Sequence, residues 1–313
     1  LLLGFVLIGF RLFYLQVLQA EVGSHQAKQQ HQKTVVVQPD RGVIVDRQGH
    51  PLALNVEVAS LYVRPSSLQD PQRIARTLAP VLHMPMTQLR DLFTRNQPFV
   101  WVKRNVPDPI VKKLEAMNIQ GLGLTKEPHR FYPKGELVSH IVGFAGIDSQ
   151  GLEGVELQYE SYLRGERNLV NYQRDALGRK ISSSQHQDSA NLPTGYHLTL
   201  TIDEIIQFIA EDELAQAMQR SGAKCGSIVM MDPLTGAILA WALHPTFDPN
   251  HLGQFSAQDW RNRAVTDPYE PGSTLKIVMA AAALEEHVMS PDTLIYGGEG
   301  QMAVAGTIVH DPA

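Results

Sequence analysis

The stretch Tyr196–Ala242 reads YHLTLTIDEIIQFIAEDELAQAMQRSGAKCGSIVMMDPLTGAILAWA. Tyr196 to Leu200 alternates apolar and polar residues, as a half-buried strand does. Thr201-Ile202-Asp203-Glu204 has the form of a capping box, which places the Thr201 hydroxyl and the Glu204 carboxylate on the free N–H groups of a helix start. Ile202, Ile205, Ile206 and Ile209 then recur at helical spacing, and Leu214, Ala217 and Met218 continue the same face. Gly222 stops the helix. Ser227 to Met231 and Ala237 to Ala242 flank Asp232-Pro233-Leu234-Thr235-Gly236, which predicts strand, turn, strand. A strand, a long helix and a hairpin in that order predict an α+β domain, with helices packed on an antiparallel sheet.

Just upstream, Ile181 to Gly195 (ISSSQHQDSANLPTG) is polar, with three consecutive serines, and marks a domain boundary. Thr34 to Gln38 is β-branched and predicts a strand, followed by turns at Pro39-Asp40-Arg41-Gly42 and Asp46-Arg47-Gln48-Gly49. Leu52 to Val63 reads as extended. Helical patches follow at Arg73 to Leu82, Met86 to Thr94 and Pro107 to Met117. Residues 131–165 are rich in glycine and aromatics, with a helix expected at Leu152 to Leu163. No repeat of 20–50 residues is visible. At the amino end, Leu1 to Phe10 carries no charge, and Leu1 to Ala20 contains one arginine, Arg11. A membrane span needs roughly 20 residues, and no small-residue cleavage site follows. The expected organisation is an uncleaved transmembrane anchor at 1–20, a mixed α/β pedestal at 21–190, and an α+β domain at 191–313. Both ends read as cut: the first residue is Leu1, and the last residues follow a glycine-rich loop at 297–300.

Composition narrows the function. The 313 residues are 43% apolar and 19% charged, with a net charge of −5. This is a folding chain without a dominant basic face, which argues against a nucleic-acid partner. A single cysteine, Cys225, excludes an intrachain disulfide and a cysteine-based zinc site. The chain has 12 histidines, but pairs such as His25/His31, His129/His140 and His244/His251 lack ligand spacing, and neither a metal nor a cofactor is expected. Trp241 reads as packing more than as a sugar platform. Arg130, Phe131 and Tyr132 suit a partner contact or a structural role in the pedestal.

Two Ser-x-x-Lys tetrads occur, Ser221 to Lys224 and Ser273 to Lys276. Chance supplies about half of one such match in a chain of this composition, so the tetrad alone is weak. Ser221 lies where a helix ends and Gly222 follows, so nothing holds Lys224 over it. Ser273 follows Pro271-Gly272 and opens TLKIVMAAAALEE, a run of strong helix formers. Ser273 and Lys276 then share one face. The run is apolar nearly all round, which predicts a buried helix. Burial would favour a neutral lysine able to take the serine proton, and the helix start offers N–H groups to an oxyanion. The competing reading is a helix cap at Ser273 and a solvated Lys276. Pattern alone leaves both standing.

Arg261-Asn262-Arg263-Ala264 and Glu270-Pro271-Gly272-Ser273-Thr274-Leu275-Lys276 resemble the active-site segment of the class B penicillin-binding proteins, most closely its septal, cell-division members. Arg41-Gly42-Val43-Ile44-Val45-Asp46-Arg47 is similar to the first non-catalytic motif of that class. Arg130-Phe131-Tyr132-Pro133 and Gly151-Leu152-Glu153-Gly154-Val155-Glu156 are similar to later ones. Leu200-Thr201-Ile202-Asp203 leading to Gln207 resembles the opening of the transpeptidase domain.

The resemblance implies a single-pass inner-membrane protein with its bulk in the periplasm. A non-catalytic, dimerisation-like pedestal would precede the first part of a penicilloyl-serine transferase domain of β-lactamase/transpeptidase type. It implies a peptidoglycan D,D-transpeptidase in which Ser273 is the acyl nucleophile and a backbone N–H oxyanion donor, and Lys276 the general base. Stem peptides ending in D-Ala-D-Ala and β-lactams would react at Ser273. A lipid-linked glycan polymerase and other division proteins are the implied partners. The sequence departs from the family in lacking Ser-x-Asn and Lys-Thr/Ser-Gly motifs after Lys276, so the 313 residues alone are not expected to be competent. The alternatives are an elongation-type class B protein, a non-catalytic division scaffold, and a penicillin sensor or class D β-lactamase-like hydrolase. The last is disfavoured by the long anchored pedestal.

Overall fold

The computed structural model describes residues 2–14, 32–37, 39–165, 168–174, 180–181 and 194–310. The expected boundary at 181–195 lies almost wholly outside the described residues, as do residues 15–20 of the expected anchor. The chain divides into two compact units, Leu1–Ala264 and Val265–Ala313.

In the first unit, α1 spans Leu2–Phe13, about 18 Å of helix at 1.5 Å per residue. No helix among the described residues is long and apolar enough to cross a membrane. Strand β1 (Gln32–Val37) pairs antiparallel with β6 (Asn168–Arg174), which pairs in turn with β7 (Lys180–Ile181).

The main sheet is built on one long strand, β3 (Pro51–Val63). Its first residues pair antiparallel with β2 (Ile44–Val45). The rest is flanked by β4 (Val100–Val106) on one edge and β5 (Leu122–Phe131) on the other. Alternation along β3 puts Leu61 and Val63 on one face, where α2 (Pro71–Leu82), α3 (Met86–Phe93) and α4 (Asp108–Met117) cover them. Ala75, Leu78, Leu89, Phe93 and Leu114 close that core. The Asp70 carboxylate caps α2 by accepting from the Arg73 N–H at 3.0 Å, and Pro71 supplies a preset first turn.

On the other edge of β2 lies β8 (Leu198–Thr199), in parallel register. The predicted strand at 196–200 thus contributes only two ladder residues. The approach of the two segments is close: a Cβ on Gly42 would lie 1.9 Å from the Tyr196 carbonyl oxygen, and the Gly42 N–H donates to Leu163 O at 2.7 Å. Only glycine fits there. Short helices α5 (Ser139–Val142), α6 (Gly154–Gln158) and α7 (Glu160–Leu163) pack around a second core of Ile44, Leu52, Tyr132, Phe144, Leu163 and Phe247.

Helix α8 (Glu204–Ser221) packs on an antiparallel pair, β9 (Gly226–Met231) and β10 (Ile238–His244). Ala210, Leu214 and Met218 meet Ala240 and Ala242. The α+β reading of this stretch holds, and Gly222 ends α8 in the left-handed conformation at φ 66°. The predicted cap is corrected. Asp203 caps α8, accepting from Ile205 N at 3.1 Å and Ile206 N at 3.3 Å. The helix begins at Glu204, too late for Thr201 to reach its free N–H groups, and the Thr201 hydroxyl donates instead to Ile238 O. A short helix, α9 (Ala257–Trp260), follows.

The second unit holds a 3-10 turn at Gly272–Thr274, running into α10 (Leu275–Glu285), a second 3-10 turn at Gly298–Gly300, and the hairpin of β11 (Gln301–Val304) with β12 (Thr307–His310).

Candidate active site

Ser273 stands in the 3-10 turn and Lys276 in the first turn of α10, so the sequence argument for their placement on one helical face is met by the backbone. Gly272 enters the turn at φ 54° with open space around its Cα, so conformation, not crowding, favours glycine there. The turn is closed by Thr274 N donating to Pro271 O at 3.1 Å, and the Thr274 hydroxyl donates to the same carbonyl. Neither the 3-10 turn nor α10 has a side-chain cap, so Ser273 is not serving as one.

The expected burial of this helix is corrected. No side chain of α10 is buried; Ile277 is 72% and Val278 62% exposed. Among the described residues of the unit, the strands β11 and β12 are exposed along their whole length and supply no layer over α10. The low-dielectric surround that the sequence argument gave to Lys276 is not built from the residues of this unit. Among the described residues, no hydrogen bond joins the Ser273 hydroxyl to the Lys276 amine. The Ser221 tetrad is not a second candidate. Its hydroxyl sits on Met218 O and accepts from Ala223 N, and the chain turns away through Gly222.

A family model described as the penicillin binding protein transpeptidase domain matches residues 226–308, which contain Ser273 and Lys276. A second, the penicillin-binding protein dimerisation domain, matches residues 36–200, more than half of the chain. The chain belongs to the class B penicillin-binding proteins. Among curated relatives of this penicillin-binding protein is the peptidoglycan D,D-transpeptidase FtsI of Escherichia coli K12, 32% identical over 94% of this chain and 51% of the relative. A probable peptidoglycan D,D-transpeptidase PenA of Neisseria meningitidis is 34% identical over 87% of this chain and 47% of its own length. Stage V sporulation protein D of Bacillus subtilis is 34% identical over 90% and 44%. The chain thus spans about half the length of the curated relatives it matches. Among solved structures, a peptidoglycan synthetase from Bifidobacterium adolescentis superposes with a TM-score of 0.57 at 24% identity, over 90% of this chain and 56% of that one, which bears on fold alone.

Within this penicillin-binding protein, three motifs far apart in sequence meet on one carboxylate. Glu156 is fully buried. Its Oε2 accepts from Arg41 Nε and its Oε1 from Arg130 Nε, both at 2.6 Å. Arg41 also donates to the Glu156 carbonyl at 2.8 Å, to Ser149 O at 2.9 Å and to Glu160 Oε2 at 2.5 Å. Arg130 Nη1 donates to Asn55 Oδ1 at 3.1 Å, and Asn55 Nδ2 returns a bond to Arg41 O. The Tyr132 hydroxyl accepts from Ala145 N at 2.7 Å, and burial beside Glu156 pushes its ionisation far upward. Two buried guanidinium groups on two carboxylates satisfy the demand that buried charge be paired. The structural reading of Arg130 and Tyr132 is therefore the one realised, while Phe131 remains exposed.

A second polar joint ties the turn at Asp46–His50 to the start of α8. The buried Asp46 carboxylate accepts from Gln48 N and His50 N at 2.8 Å each and from Glu204 N at 3.3 Å. Burial alone would raise its pKa, but these N–H groups and His50 outweigh it and hold it below the ordinary range. His50 Nδ1 lies 3.1 Å from Asp46 and 3.4 Å from Glu204, and Lys134 pairs with Glu204 at 2.5 Å. Glu204 is thus an ion-pair residue and not part of a capping box. Sequence periodicity gave no sign of either network, because paired buried charges break the apolar pattern that marks a core.

Proposed function

We propose that this chain is the amino-terminal half of a septal peptidoglycan D,D-transpeptidase, anchored through residues 1–20 in the inner membrane, with a pedestal at 21–190 and the first part of the transpeptidase domain at 191–313. The observation that carries the reading is Ser273 and Lys276 spaced one turn apart at the start of α10, inside the segment matched by the transpeptidase model. Ser273 Oγ attacks the penultimate D-Ala carbonyl of a stem peptide, and its proton passes to Lys276 Nζ. The C–N bond breaks and the terminal D-Ala leaves, its amine taking a proton. An amine of a second stem then attacks the ester, forming the cross-link and releasing Ser273 with its proton restored. The helix start favours the oxyanion through the Ser273 N–H and the positive end of the dipole. The names of the FtsI and PenA relatives support this substrate class. The wording of Arg261 to Ala264 and Glu270 to Lys276 supports the septum over the elongation machinery, with glycan polymerase and division proteins as partners.

The test uses the full-length protein. Labelled penicillin is expected to form a covalent adduct that Ser273→Ala abolishes. An adduct on Ser273→Ala, or none on the unmodified protein, overturns the assignment. Rescue of a conditional division mutant by Ser273→Ala would favour the non-catalytic scaffold.

A further inference from the structure

The face of the β3–β4–β5 sheet turned away from α2–α4 carries a cleft that the transpeptidase chemistry leaves unused. Trp101 on β4 stands opposite Tyr62 on β3, and Gly123 on β5 stands opposite Tyr62 from the other side. A Cβ at position 123 would lie 2.3 Å from the Tyr62 ring, so the glycine lets that ring lie down across β5. Phe99 stacks on Tyr62 with centroids 4.8 Å apart and meets Trp101 edge-on at 4.8 Å. The three rings wall a cleft of about 460 Å³, completed by Arg64, Thr125 and Glu127.

Two features of the cleft point to a ligand. Phe99 is the outermost ring and is 41% exposed, though Tyr62 already backs it. Arg64 lies 5.8 Å over the Tyr62 ring and forms no ion pair among the described residues. Its neighbour Arg104, over Trp101, is by contrast neutralised by Glu127 at 3.0 Å and Asp148 at 2.6 Å. One open aromatic face beside one uncompensated guanidinium fits a molecule with a flat C–H face and an anionic group. The volume falls in the range of small-ligand sites. A pyranose offers such a face, and an acid sugar offers the carboxylate.

We propose that this cleft binds a peptide-free stretch of the peptidoglycan glycan strand, Phe99 stacking on one sugar ring and Arg64 pairing with the free carboxylate of the adjacent acidic amino sugar. The choice of polymer rests on the transpeptidase reading. The pedestal would then hold the polymer whose stems the serine joins.

The experiment measures binding of soluble, amidase-treated glycan strands to full-length protein carrying Ser273→Ala, by calorimetry. Phe99→Ala and Arg64→Gln, both at exposed positions, are each expected to weaken binding about tenfold or more, through the loss of one stacking contact and one charge-assisted contact respectively. Neutral chitin oligosaccharides are expected to be weakened by Phe99→Ala and untouched by Arg64→Gln. Absence of glycan binding, an affinity unchanged from the parent in either variant, or a cleft that takes up only an acidic peptide would overturn the proposal. Penicillin acylation uses neither residue, so failure here is distinguishable from failure of the transpeptidase reading.

Discussion

Gln207 holds both polar groups of the Trp241 peptide. Its Oε1 accepts from Trp241 N at 2.6 Å, and its Nε2 donates to Trp241 O at 2.9 Å. The side chain is fully buried and stands where a further strand would pair with β10. It thereby welds α8 to the sheet it covers. Gln207→Leu leaves a buried N–H and C=O unpaired, at about 1–3 kcal/mol for each group. Urea unfolding is expected to show a loss of about 2–4 kcal/mol; a loss below 1 kcal/mol would mean that water reaches that edge.

Glu156 is the only carboxylate shared by Arg41 and Arg130 among the described residues. Glu156→Gln removes the shared countercharge and leaves the buried Arg130 guanidinium facing a neutral amide, while Arg41 keeps Glu160. Breaking a buried pair from one side costs about 3–5 kcal/mol. The expected outcome is a destabilised pedestal, and the additional Arg130→Met change should recover part of the loss. An unchanged urea midpoint in Glu156→Gln would refute the network's role.

Glu211 accepts from Gln207 Nε2 at 2.7 Å and from Val138 N at 3.0 Å. Burial pushes its pKa up, the nearby Glu136 charge adds to this, and the two hydrogen bonds only partly oppose it. Its folded pKa thus lies above the ordinary 4.5. Stability from this group is full below that value and is lost as pH rises through the folded pKa. Glu211→Gln keeps both acceptor contacts, so it is expected to flatten this decline and to unfold later than the unmodified chain near neutral pH. Urea midpoints measured across the acid-to-neutral range check it; parallel profiles would reject it.

Lys276→Met in the full-length protein removes the proposed base and keeps the length of the side chain. Loss of a positioned base typically slows a proton transfer by about 10²–10⁴-fold. Acylation by labelled penicillin should slow to that extent, with circular dichroism unchanged. Acylation at the original rate would assign the proton to another group.

The strand, helix and hairpin of 196–242 were legible in outline because their apolar spacing and turn residues act locally. The start of α8 was misread at Thr201, since Asp203 is an equally good cap and only the observed backbone decides which N–H groups lie in reach. The motifs around Arg41, Arg130 and Glu156 were visible as words, but their convergence was not, because it depends on pairing across more than a hundred residues. At the candidate site the i, i+3 placement of Ser273 and Lys276 followed from helix geometry. The burial of α10 did not, because an all-round apolar helix records what is meant to cover it and not what this unit provides.

The parallel contact of β2 with β8 sets the path of mechanical load through the chain. The polypeptide arrives at Asp40, whose carbonyl accepts from Gly195 N, and departs near Ile202, whose carbonyl accepts from Arg47 N. Tension applied at the amino-terminal side of β2 and the carboxy-terminal side of β8 shears that ladder, so its bonds share the pull instead of unzipping singly. The excursion from Pro51 to Arg164 hangs outside the line of force. Pulled from those two points, the chain would keep the sheet of β3, β4 and β5 folded while the β2–β8 ladder bears the strain.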